Sequence, residues 1–186
     1  MIAADLRHYL QQSRDAMVAS LDGLSEYDIR RPMTPTATNL LGLVKHLAGI
    51  EFGYLGECVG RDVPVPQPWD DESIWDGADM WALAAESREY LVGLYRRAWQ
   101  HSDESLDEFA LDTPATVAWW PVERRTTTLG HLLVRVVAET AQHAGHADIV
   151  REMIDGRGGR DREATGDTAW WDRHLARVQE AADHHR

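Results

Sequence analysis

A chain of 186 residues has room for one domain with its own core, and 44% hydrophobic with 27% charged residues is the balance of an ordinary globular fold. The formal charge of −12 excludes a nucleic-acid or anionic-membrane surface, which needs clustered cations. No apolar run reaches the roughly 18–20 residues of a membrane span, and the single cysteine, Cys58, leaves no internal disulfide.

The N-terminal stretch lacks the basic-then-apolar order of a secretion signal, so a reducing cytoplasm is the expected location. From there, apolar residues recur at helical spacing in four long segments. The first covers about residues 2–24, with Leu6, Leu10, Met17, Leu21 and Leu24 on one side. "RRPMTPTAT" then breaks the chain with two prolines. A second helix is expected from near Thr38, carrying Leu40, Leu43, Leu47, Ile50 and Tyr54, with Thr36 or Thr38 as its N-cap. The long connection "GRDVPVPQPWDDESIWDG" follows; its acidic run 70–72 reads as a solvated loop.

The third helix is expected over roughly 78–102, through Trp81, Leu83, Leu91, Leu94 and Ala98. A second loop, "DTPATVAWWPVERRTTT", leads into a fourth helix over about 128–155, with Gly156 placed to end it in a left-handed conformation. "GRGGRDREATGD" reads as a flexible connector to a short helix over about 170–182. Strand-like alternation is almost absent. The pattern predicts an all-α four-helix bundle with long interhelical loops and a short C-terminal helix. It also predicts a single domain over 1–186, with a bundle body of about 2–156 and an extension of about 157–186.

The fourth helix carries an anomaly. Steps of three and four from Leu129 reach Leu132, Val136, Glu139, His143, His146, Val150 and Met153, so three ionisable groups fall on an apolar seam. A buried unpaired carboxylate costs several kcal/mol. A divalent cation resolves the difficulty, because Glu139 and His143, four residues apart, share one helix face. His46, between Leu43 and Ile50 on the second helix, is the candidate third ligand. His₂Glu with an open position is a coordination set for a catalytic metal, zinc first, with nickel, iron, cobalt and manganese also accepted. The residues alone leave alternatives. Glu139 could pair with Arg135, His46 could be a core histidine, and His143 with His146 could chelate without Glu139.

"TNLLGLVKHLAGIEFGYLGE" and "TTTLGHLLVRVVAETAQHAGHADIVREMIDG", with residues 77–97 and 117–121, resemble the DinB-like superfamily over most of the chain, in particular its actinobacterial DUF664 branch. That branch looks closest to mycothiol S-transferases and is related to mycothiol-dependent maleylpyruvate isomerases. The resemblance implies a four-helix bundle whose metal ligands here are His46, Glu139 and His143. His146 stands where many members have the glutamine of an HRGQ-like motif, which implies a supporting or substrate-facing role.

The resemblance further implies a thiol-dependent transferase or isomerase in which the metal activates a low-molecular-weight thiol, mycothiol by analogy, for attack on a small electrophile. A thiol bound to a metal loses its proton, and the thiolate is the nucleophile. The alternatives are a hydrolase using metal-bound water and a non-enzymatic metal- or ligand-binding domain. Cys58 reads as a small packed residue rather than the nucleophile. Trp69, Trp75, Trp119 and Trp120 are candidates for a pocket wall. Arg124 and Arg125 read as solvated charges, and the histidines of "ADHHR" as an exposed tail. No nucleic acid or membrane partner is expected, and a homodimer is admitted without any segment marked as its interface.

Overall fold

The structure is a computed structural model that describes residues 2–71, 73–158 and 165–186. Glu72 of the acidic run and residues 159–164 of the expected connector lie outside the described residues. Helices dominate: α1 (Ile2–Ala19), α2 (Glu26–Arg30), α3 (Leu40–Leu55), α4 (Arg88–Glu108), α5 (Leu129–Asp155) and α6 (Thr168–Asp183). The expected all-α bundle is therefore the observed architecture. Among the described residues, four 3₁₀ turns and one small antiparallel ribbon interrupt it. In the ribbon, β1 (Pro114–Thr116) pairs with β2 (Thr126–Thr128), Ala115 opposite Thr127.

Helix α3 is the centre of the bundle because it is apolar on nearly every side. Leu40, Leu41, Leu43, Val44, Leu47, Ala48, Phe52 and Leu55 are all buried. It packs on α4 and α5, and α1 lies against α5. Asn39 starts it: its side chain accepts a hydrogen bond from the Gly42 amide at 2.7 Å. The cap is thus neither Thr36 nor Thr38, because Asn39 holds the extended backbone that the position requires.

The first expected helix ends about five residues early, and a short helix that was not expected follows it. Helix α1 stops at Ala19, Gly23 turns with φ of 73°, and Ser25 caps the short α2. The third begins ten residues later than its apolar spacing suggested. Trp81 and Leu83 are half-exposed in an irregular segment, and Ser87 caps α4 by accepting from the Tyr90 amide at 3.0 Å. Helix α5 matches expectation, with Thr128 as N-cap and Gly156 at φ 73° after its last turn.

One buried polar network has no counterpart among the sequence expectations. Arg14 of α1, 1% exposed, donates from Nε to Glu51 Oε1 of α3 at 2.8 Å and from its NH2 group to the second carboxylate oxygen. Its NH1 group reaches Asp103 of α4 at 3.1 Å. A bidentate pair of this kind fixes the register of α1 against α3 and α4. The lone lysine is likewise buried: Lys45 Nζ donates to the Trp81 carbonyl at 3.1 Å and to Glu86 at 3.0 Å.

Candidate metal centre

Where α3 faces α5, three ionisable side chains converge. Glu139 and His143 sit one turn apart on α5, and His46 approaches from α3. His143 Nε2 lies 3.3 Å from Glu139 Oε1, and His46 Nε2 lies 3.6 Å from the same oxygen. The two imidazoles meet edge to face at 5.0 Å. One ligand atom from each of the three residues falls within 4.8 Å of the others. Ligands held tetrahedrally at zinc distances stand roughly 3.3–3.6 Å apart, so both His–Glu separations match the edges of a coordination polyhedron.

The trio lies beside the buried stripe of α5 rather than on it. Thr140, Ala144, Ala147 and Val150 are the buried positions there, whereas Glu139 and His143 are part-exposed and His146 is exposed. Met153, expected on the seam, is 55% exposed. A 3.6-residue helix drifts by about 20° per heptad against a strict a/d pattern, and two heptads carry the seam off the core. The ionisable groups are consequently at the rim of the bundle interior, where a ligand can reach them.

A residue that sequence reasoning passed over orients His46. Asp79, in the turn before α4, places Oδ2 2.6 Å from His46 Nδ1. In neutral His46 that bond keeps the proton on Nδ1 and leaves Nε2 as a bare lone pair aimed at the Glu139 carboxylate. Two acceptors at 3.6 Å repel unless a cation lies between them. The donor chemistry of the trio therefore fits a divalent cation, and Asp79 is the carboxylate partner that metal-binding histidines usually carry. The only sequence signal was an acidic residue in "GADMW", whose partner is 33 positions away.

His146 Nδ1 stands 3.4 Å from His143 Nδ1, on the side of the ring away from Glu139. Burial and the neighbouring His46 lower the pKa of His143 against the opposing pull of Glu139, which favours its neutral, ligating form. Arg135 does not pair with Glu139. Its guanidinium lies over the Tyr54 ring at 4.9 Å and the Trp120 ring at 5.6 Å.

A cavity of about 380 Å³ opens beside the trio and is lined by His46 and its partner Asp79. Trp69, Trp75 and Trp119 line it. Trp120 does not; it lines a neighbouring cleft with Arg124, His131 and Arg135. Both Trp119 and Trp120 donate from Nε1 to the Tyr54 hydroxyl at 3.3 Å. The floor is made by Gly49 and Gly53 of α3. A Cβ on Gly49 would stand 2.7 Å from the Trp69 ring, so the close approach of that indole requires glycine. Cys58 is buried outside this cavity, its thiol pushed up to about 12 by burial and, secondarily, by Glu57.

A helical bundle with a His/Glu trio between two helices and an aromatic cavity alongside defines a class of protein built to bind small molecules. The sequence model of a family described as Mycothiol-S-transferase matches residues 5–156. The chain belongs to that family, a branch of the DinB-like proteins. No curated protein matches it.

Proposed function

We propose that the protein is a metal-dependent S-transferase that joins a low-molecular-weight thiol, mycothiol, to a small electrophile. The observation that carries the reading is the convergence of His46 Nε2 and His143 Nε2 on one oxygen of Glu139, in a chain of this family. A divalent cation, zinc before nickel, iron, cobalt or manganese, would be held by those three atoms and would supply the charge that deprotonates a thiol near neutral pH.

The chain's own residues do the rest. Asp79 holds the Nδ1 proton of His46, and His146 accepts that of His143, so both Nε2 lone pairs stay directed inward. Glu139 contributes the one negative charge of the set. The tryptophan walls hold the electrophile close to the thiolate and keep water back, which lowers the entropic part of the barrier. The thiol proton leaves to solvent, sulfur bonds to the electrophilic carbon, and the leaving group departs with its electron pair. Reversible addition to a double bond would instead isomerise it. The body carrying this chemistry is residues 2–156, with 157–186 an extension.

Elemental analysis of tag-free, chelator-washed and zinc-reloaded protein tests the reading. The expected result is one metal per chain, lost in Glu139→Ala. The cobalt-substituted protein should develop a sulfur-to-cobalt absorption band on adding thiol. His184 and His185 are changed to alanine in both proteins to remove tail binding. Absence of metal from the protein that keeps Glu139 would sink the proposal, and turnover without thiol would move it to the hydrolase alternative.

A further inference from the structure

The cavity beside the trio has a charge character that its aromatic walls alone would not dictate. Glu57, Asp70 and Asp79 line it, and among the described residues no arginine or lysine does. Gln67, also in the lining, has a buried Oε1 without a hydrogen-bond partner. Every one of these groups accepts hydrogen bonds or carries negative charge. The lining also contains the indoles of Trp69, Trp75 and Trp119 and the Tyr54 ring. Adding Glu139 gives four carboxylates around the site, so a bound divalent cation would still leave it two charges negative.

We infer that this cavity recognises an organic cation, an ammonium, quaternary ammonium or guanidinium group, on the electrophile that receives the thiol. The assignment of the cation to the electrophile rests on the S-transferase reading; the charge preference of the cavity does not. Aromatic rings attract a cation through their quadrupoles, and carboxylates replace part of the shell that such a group loses on leaving water. An anionic electrophile meets the opposite: like charge on Glu57, Asp70 and Asp79 and, among the described lining residues, no arginine or lysine to pair with. The volume of about 380 Å³ is that of a small-molecule site. Trp75, 75% exposed, and Glu57, exposed at the start of a 3₁₀ turn, form the outer rim where the cation would enter.

The test is titration of the metal-loaded full chain, at fixed ionic strength and without thiol, followed by tryptophan fluorescence and by calorimetry. The probes are benzyltrimethylammonium, benzyl alcohol and phenylmethanesulfonate. The expected result is that the cation binds at least about 10-fold more tightly than either other probe. Trp75→Ala should weaken the cation by about 2- to 30-fold, the range a cation–π contact spans, and leave benzyl alcohol less affected. Glu57→Gln should weaken the cation and leave benzyl alcohol unchanged; both residues are exposed, so neither variant threatens folding. Equal binding of all three probes, tightest binding of the sulfonate, no binding, or a cation affinity indifferent to both variants would each overturn the inference. A chain that binds metal and uses thiol without preferring the cation overturns only this inference. A chain that prefers the cation but binds no metal overturns only the S-transferase reading.

Discussion

At the scale of single residues, the candidate site depends on proton placement as much as on the residues that would hold a metal. Asp79 touches no candidate ligand atom, yet its 2.6 Å contact decides which nitrogen of His46 is free. Asp79→Asn keeps the shape and weakens the charge that orients the ring. Losing such a partner costs about 10- to 100-fold in metal affinity, so competition with a chromophoric chelator should show a drop of that size while circular dichroism is unchanged. An unaltered affinity would mean that the carboxylate merely fills space. Cys58 supplies the contrasting case. With its thiol pushed up to about 12, it holds almost no thiolate at pH 8. Native protein should therefore resist iodoacetamide at pH 8 and react once unfolded in urea, and Cys58→Ala should retain thiol-dependent turnover. Rapid labelling of the native chain would place that sulfur within reach of substrate instead.

At the scale of elements, the first half of α3 aims the segment that carries Asp79. Asn39 accepts from the Gly42 amide and donates to the Met80 carbonyl at 3.1 Å, while Lys45 holds the Trp81 carbonyl. A Cβ on Gly42 would fall 2.0 Å from the Met80 oxygen. Gly42→Ala must therefore push the 78–80 turn off α3. Overpacking of this kind costs about 1–3 kcal/mol, visible in urea unfolding, and metal affinity should fall with it although no ligand is touched. Gly93→Ala is the control. Its Cβ would meet the Arg97 guanidinium at an ordinary 3.7 Å, and it should be neutral or stabilising by up to about 1 kcal/mol.

The same segment explains how far the sequence could be read. Helix α5 was legible because Thr128 and Gly156 are strong local start and stop signals and its periodicity is long. Helix α4 was placed early because Trp81 and Leu83 continue the helical spacing, although backbone contacts with α3 hold that stretch irregular. His46, Glu139 and His143 were legible because each breaks an apolar pattern. Asp79, Arg14 and Glu51 were not, since a charged residue reveals nothing of a partner 33 or 37 positions away until the chain folds. Trp119 and Trp120 look equivalent in "AWWP", and only the folded chain shows that they line different cavities.

At the scale of the whole molecule, the working part should end with α5. The family match stops at residue 156, and α6 buries none of its residues. Its order is local: Asp167 caps it by accepting from the Trp170 amide at 2.8 Å, and the Trp170 and His174 rings stack at 4.9 Å. Nothing in α6 contributes to the trio or lines the cavity beside it. A chain ending at residue 157 should thus melt within about 1–2 °C of the full chain, as expected for loss of surface structure alone. It should also hold one metal per chain and turn over with thiol at the full-length rate. Removal of His174, His184 and His185 with α6 makes that metal count the cleanest one obtainable. A large fall in melting temperature or loss of the metal would show instead that α6 docks on the bundle, with the exposed Leu175 and Val178 as the face to examine.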